Sequence, residues 1–134
     1  MLKVLLIDDE QRATDALRLM IVKTIPEIDE VIVCNDSRLA AEKIHQHQPG
    51  LVFLDIQMPH MNGFEVLEKI PNKNFKIIFT TAYNEYAIQA IRYSAFDYLL
   101  KPVDMDELQA AVQRFIEGHE DYRQQYDLLK NIMH

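Results

Sequence analysis

A chain of 134 residues is enough for one domain with a single sizeable core, and no second fold is expected. Its 21 acidic against 14 basic side chains give a formal charge of -7, a balance that repels polyanions and leaves no electrostatic footprint for nucleic acid. The lone cysteine, Cys34, rules out an intramolecular disulfide, and Met1–Ile7 is too short and too poor in basic residues for a signal peptide or a membrane span, so a reducing cytoplasm is the expected location.

In chain order, the apolar, β-rich run Lys3 to Ile7 ends at Asp8-Asp9-Glu10, and Ala13, Leu17, Met20 and Ile21 then recur at helical spacing. Strand, acidic turn and helix follow one another there, and Pro26 closes the helix. Val31 to Cys34 is a short second strand, with Cys34 a small buried residue at its end. Asp36 or Ser37 can cap a helix carrying Leu39, Ala40 and Ile44, which Pro49-Gly50 terminates. The next run, Leu51 to Leu54, is apolar without alternation, as a strand buried on both faces should be. It leads directly into Asp55 and a loop punctuated by Pro59 and Gly63.

Gly63 opens a short helix with Phe64, Val66, Leu67 and Ile70, closed by Pro71 and a polar turn. Lys76 to Thr80 reads as the fourth strand. Asn84 is placed to cap a helix over Tyr86 to Ile91, whose apolar positions are Ile88 and Ile91. Phe96 to Leu100 is the fifth strand, Lys101-Pro102 ends it, and Asp104 starts the last helix. Strands alternating with helices through short connections predict an α/β, flavodoxin-like doubly wound parallel sheet of five βα units in the order 2-1-3-4-5. In that order the ligand crevice lies between strands 1 and 3, so Asp8, Asp9 and Asp55 should meet at their C-terminal ends.

Neighbouring carboxylates repel one another and stay ionised at neutral pH only where a cation shares the site. Hard oxygen ligands without His or Cys point to Mg²⁺, which keeps several waters and often takes phosphate oxygens. Lys101 is positioned to add a positive charge and Thr81 a hydroxyl. A carboxylate nucleophile, a metal, a lysine and a hydroxyl donor are the parts needed to transfer a phosphoryl group onto Asp55. Such a transfer is mainly positioning and charge neutralisation, so no general base is required.

The ordered set Asp8-Asp9, Asp55 with Met58-Pro59 and Gly63, Thr81-Ala82, and Tyr98 ahead of Lys101-Pro102 resembles the receiver domain of two-component response regulators over residues 3 to about 117. The resemblance implies that Asp55 accepts phosphate from a sensor histidine kinase, and that Asp9, Asp55 and the Gln57 carbonyl hold Mg²⁺ with Asp8 helping through water. It also implies that Lys101 contacts the phosphate, and that Thr81 and Tyr98 act as switch residues altering the face of helix 4, strand 5 and helix 5. A cis Lys101-Pro102 bond is implied as well. Apart from this reaction on itself, such a domain is no enzyme. The segment Ala82 to Val103, with Tyr83, Asn84, Tyr86, Ala87, Ala90 and Phe96 to Leu99, further resembles regulators carrying a C-terminal LytTR-type DNA-binding domain, so the chain reads either as the receiver part of such a regulator or as a stand-alone receiver. The partners implied are a kinase, that output domain, and a second copy of the chain on phosphorylation, for which Ile88, Ile91 and Tyr93 lie near the switching face.

Plainer alternatives stand beside these readings. Asp8-Asp9 can cap the first helix, Thr81 can be an ordinary strand hydroxyl, Lys101 a solvated loop residue and Tyr98 mere packing. An Asp-nucleophile phosphatase of the haloacid dehalogenase type would carry a second aspartate where Gln57 stands, and a flavodoxin-like cofactor carrier would need a glycine-rich phosphate loop after strand 1. The five histidines lack metal-ligand spacing and are expected at the surface, while Met58 and Met61 shape the loop after Asp55. Bulky Tyr83, bordering the path of the hydrolytic water by the same resemblance, is expected to shield the aspartyl phosphate. The domain is assigned to residues 1–117 and a helical linker to residues 118–134. Leu108, Val112, Phe115, His119, Tyr122, Tyr126, Leu129 and Met133 continue one helical seam into that linker, which reads either as a short coiled coil or as a frayed, solvated segment interrupted at Gly118.

Overall fold

The computed structural model describes residues 1–119 and Leu128. Five strands, β1 (Lys3–Ile7), β2 (Glu30–Cys34), β3 (Leu51–Leu54), β4 (Lys76–Thr81) and β5 (Asp97–Leu100), form one parallel sheet in the order β2-β1-β3-β4-β5. Five helices connect and cover them: α1 (Gln11–Thr24), α2 (Ala40–His47), α3 (Gly63–Glu68), α4 (Ala87–Arg92) and α5 (Met105–Glu117). The expected flavodoxin-like topology is the one observed.

The alternation of side chains along each strand divides the interior in two. Val4 and Leu6 of β1, Leu51 and Phe53 of β3, and Ile78 of β4 meet Leu17 and Ile21 of α1 and Leu108, Val112 and Phe115 of α5. Leu5, Ile7, Val52, Leu54, Ile77 and Phe79 point the other way, onto Ala40 and Ile44 of α2, Phe64, Val66 and Leu67 of α3, and Ala90 of α4. Because β1 and β3 are covered on both faces, their apolar runs need no polar alternation. At about 1.5–3 kcal/mol per fully buried aliphatic or aromatic side chain, these two layers supply the main stabilisation of the sheet.

Local signals set the helix ends. Asn62 and Glu65 form a reciprocal capping box at the start of α3, with bonds of 2.9 and 3.0 Å. Asp104 caps α5 by accepting from the Glu107 amide at 3.0 Å. Asp36 accepts from the Arg38 amide and caps a 3-10 turn, Ser37–Leu39, that leads into α2. Gly63 is required by a close approach: a Cβ there would lie 2.4 Å from the carbonyl oxygen of Asp55.

Four local expectations are corrected. Asn84 does not cap a helix; it lies within a 3-10 turn, Asn84–Tyr86, that precedes α4. Leu39 belongs to the turn before α2 rather than to the helix and is 44% exposed, so it does not face the core. Ile70 is buried but lies beyond the end of α3. The apolar positions of α4, Ile88 and Ile91, are 72% and 73% exposed, and the helix is held to the sheet by buried Ala90 instead. The seam expected through the C-terminal segment is followed in Leu108, Val112 and Phe115, all buried, whereas Tyr122, Tyr126, Leu129 and Met133 lie outside the described residues. No helix among the described residues is long and apolar enough to cross a membrane.

Candidate functional site

Strand register brings the reactive residues together. Ile7 pairs with Cys34 on one side and Leu54 on the other, so the residues after the ends of β1 and β3, Asp8 and Asp55, come out side by side. Backbone bonds continue past the strands, from Asp8 N to Cys34 O at 3.1 Å and from Asp55 N to Ile7 O at 2.9 Å. On the far side, Lys101 N donates to Thr81 O at 2.8 Å, which carries the ends of β4 and β5 to the same edge. The Lys101-Pro102 bond is cis.

Asp8, Asp9 and Asp55 each offer a carboxylate oxygen, and these oxygens lie within 4.8 Å of one another. Asp8 and Asp55 are buried, while Asp9 stands more open to solvent. Lys101 Nζ lies 2.6 Å from Asp8 Oδ2 and 3.3 Å from Asp55 Oδ2, so one ammonium spans two carboxylates. Burial pushes the Asp55 carboxyl up to about 6; the neighbouring Asp8 charge adds to this, and Lys101 together with the Ile56 amide offsets part of it. Burial works against the Lys101 charge, but its bond to Asp8 and the pull of both carboxylates leave its pKa above the usual lysine value.

Each buried acidic side chain is oriented by the backbone. Asp8 Oδ1 accepts from the Glu10 amide at 3.0 Å, and Asp55 Oδ1 accepts from the Ile56 amide at 2.8 Å. Neither Asp8 nor Asp9 holds the cap position of α1, which Glu10 occupies without a side-chain bond, so helix capping does not account for the pair. Thr81 is fully buried, and its hydroxyl accepts from the Tyr83 amide at 3.3 Å. Half-buried Tyr98 donates its hydroxyl to the Tyr83 carbonyl, with its ring 6.4 Å from that of Phe79. Gln57 is exposed, and its side-chain amide donates to the Tyr86 hydroxyl at 2.7 Å. Met58 and Met61 pack partly buried against the core beneath this loop. Cys34 is buried among core residues, which pushes its thiol up, and its Sγ donates to Asp36 O at 3.1 Å.

Three hydrogen bonds at the rim, made by Asn35 and Ser37, have no counterpart in the sequence reading. The Asn35 side-chain amide donates to Asp8 O at 2.8 Å and to Thr14 Oγ1 at 3.0 Å. Ser37 Oγ donates to Pro59 O at 2.7 Å. Asn35 directly follows β2, and β2 adjoins β1, so the strand order is the signal that could find it.

A parallel sheet with an acidic crevice at its switch point, an aspartate at the end of the central strand and a lysine opposite defines an α/β domain built around that aspartate. Its family follows from comparison. Residues 4–113 match the response regulator receiver domain model, and the chain belongs to that family. It is 42% identical over 120 residues to an uncharacterized response regulatory protein of Vibrio cholerae, covering 89% of this chain and 50% of the relative. It is 39% identical over 115 residues to the transcriptional regulatory protein BtsR of Escherichia coli K12, covering 85% of this chain and 48% of BtsR. The chain thus spans about half the length of these curated relatives. Among solved structures it is similar to the response regulator TrrA of Thermotoga maritima in complex with Mg²⁺-BeF, with a TM-score of 0.74 and 31% identity over 85% of this chain and 98% of that one. A CheY-like receiver domain of Methanospirillum hungatei gives a TM-score of 0.78 at 25% identity, covering 90% and 98%. Membership of this family sets aside the dehalogenase and flavodoxin alternatives.

Proposed function

We propose that this chain is a phosphoacceptor switch: Asp55 takes a phosphoryl group from the phosphohistidine of a sensor kinase. The observation that carries the reading is Asp55 buried beside two further carboxylates and 3.3 Å from Lys101. In the reaction, a carboxylate oxygen of Asp55 bonds to phosphorus as the phosphorus–nitrogen bond to the donor imidazole breaks, and the imidazole nitrogen leaves with the bonding pair. Asp9, Asp55 and the Gln57 carbonyl would hold Mg²⁺, with Asp8 acting through water; the hard oxygen donors fit that ion. When bound, Mg²⁺ neutralises the charge that gathers on the transferring oxygens. The part of Lys101 is to leave Asp55 and follow the phosphoryl oxygens, keeping its second anchor on Asp8. Thr81 then supplies a hydroxyl, and Tyr98, already bonded to the segment two residues beyond Thr81, carries that movement to β5.

The receiver comprises residues 1–117, with residues 118–134 as a linker to a C-terminal output domain, read as a LytTR-type DNA-binding domain. The half-length match to relatives named as regulatory proteins supports an output domain beyond the receiver. Ile88 and Ile91, exposed on α4, supply an apolar surface for pairing with a second copy on phosphorylation. The decisive measurement is intact mass after incubation with a small phosphodonor, with and without Mg²⁺, alongside Asp55→Asn. One added phosphoryl group that needs both Mg²⁺ and the Asp55 carboxylate is the expected result. The same gain in the Asp55→Asn variant would overturn the assignment.

A further inference from the structure

The segment from Asn35 to Ser37, between β2 and α2, touches both loops that bear the acidic group. Its first contact is with the acidic turn after β1. Asp8 O is a carbonyl and can only accept, so the group facing it at 2.8 Å must be the Asn35 NH2. The second hydrogen of that NH2 reaches Thr14 Oγ1 at 3.0 Å, and the Thr14 hydroxyl donates onward to Gln11 O at 3.0 Å. Thr14 is buried on the first turns of α1, so the amide ties the acidic turn to the helix that follows it. The Asp8 residue is then held from both sides, its amide by Cys34 O and its carbonyl by Asn35.

That carbonyl belongs to the peptide unit joining Asp8 to Asp9. Fixing its plane fixes the N–Cα bond of Asp9 and leaves φ as the one backbone torsion that sets where its side chain departs, and Asp9 is the most exposed carboxylate of the three. At the other end of the segment, buried Ser37 bonds Pro59 O in the loop that follows Asp55, at 2.7 Å. One short stretch of chain therefore sets the positions of two loops that contribute oxygen ligands from different strands. Hydrogen-bonding partners of metal ligands commonly govern affinity in this way, and their loss costs about 10–100-fold.

We infer that Asn35 is a positioning residue for divalent-cation binding: through the Asp8 carbonyl it holds Asp9 in the geometry the ion requires, with Ser37 holding the opposite loop. This inference rests on the phosphoacceptor reading and adds a residue that does not itself touch the ion.

The test is titration calorimetry of the full chain with Mg²⁺, and separately the Mg²⁺ dependence of Asp55 phosphorylation from a small phosphodonor, for the unaltered protein, Asn35→Ala and Asn35→Asp. Asn35→Asp keeps the shape but turns an oxygen toward Asp8 O, and it serves if the alanine variant folds poorly by circular dichroism. Both variants should show a dissociation constant for Mg²⁺ raised about tenfold or more. The half-saturating Mg²⁺ for phosphorylation should rise in parallel, while the rate at saturating Mg²⁺ stays within about twofold, a split that simple loss of folded protein would not give. A folded variant with unchanged Mg²⁺ affinity overturns the role of Asn35 and leaves the phosphoacceptor reading standing. An unaltered protein that neither binds Mg²⁺ nor gains phosphate on Asp55 overturns the phosphoacceptor reading, and this inference with it.

Discussion

Replacing Asp55 by Asn should stabilise the metal-free fold at neutral pH. The folded chain holds this carboxyl 6% exposed and raises its pKa from the ordinary 3.8 to about 6, through burial first and the Asp8 charge second. Ionised Asp55 is therefore less comfortable in the fold than in the unfolded chain by about two powers of ten in proton affinity, and at about 1.4 kcal/mol for each power the ceiling is about 3 kcal/mol. An amide of the same shape removes the repulsion with Asp8 and keeps an oxygen for the Ile56 amide, so a gain of about 1–3 kcal/mol is expected. The sign follows from linkage: between about pH 4 and 6 the folded state binds more protons than the unfolded one, so stability contributed by the protonated carboxyl is lost as pH rises through that window. The difference between the variants should be near zero at about pH 4 and full above about pH 7. Denaturant unfolding in a chelator across this range measures it directly. A variant less stable than the unaltered chain at neutral pH, or a difference that does not change with pH, would refute the argument. Added Mg²⁺ should stabilise the unaltered chain more than Asp55→Asn and so narrow the gap.

Three further outcomes are expected. Gly63→Ala places a methyl group 2.4 Å from the Asp55 carbonyl, so the backbone must shift; a loss of about 1–3 kcal/mol in unfolding and slower phosphorylation of Asp55 should appear together, and an unchanged midpoint would count against the contact. On the reading that the Tyr83 ring borders the approach of water to the aspartyl phosphate, Tyr83→Ala should shorten the life of that phosphate; an unchanged rate of phosphate release removes that role. Ile88→Ser with Ile91→Ser should change stability by less than about 0.5 kcal/mol, because both side chains are already in solvent, yet abolish self-association of the phosphorylated chain in analytical ultracentrifugation.

The sheet and the acidic crevice are legible in the sequence because both rest on patterns that survive in one dimension. Leu51 to Leu54 is apolar without alternation since helices cover both faces of β3, and Asp55 interrupts that run at the C-terminal edge where parallel sheets place their reactive groups. Asp8 and Lys101 follow from the same rule at neighbouring strands. The packing side of α4 is not legible, for the opposite reason: apolar residues at helical spacing ordinarily mark the inward face, yet here Ile88 and Ile91 lie on an outward face that is itself apolar, and the small Ala90 makes the contact. Leu39 departs from its reading in the same way. Asn35 and Ser37 escape a sequence reading because their bonds join residues 27 and 22 positions apart, and nothing in a local window tells a loop amide that reaches another strand's turn from one that merely caps a helix.

The single ammonium of Lys101 among three carboxylates has a consequence for ion valence. Three formal negative charges and one positive leave the cluster at minus two, the complement of one divalent cation. A monovalent ion leaves half of that deficit uncovered, and a second divalent ion reverses its sign. In the proposed reaction, conversion of the Asp55 carboxylate to an acyl phosphate dianion would add one further negative charge to a cluster neutralised by such an ion. Neutral hydrogen-bond donors can stabilise that increment without disturbing the balance, and Thr81, a buried hydroxyl already at the same edge of the sheet, is chemically suited to it.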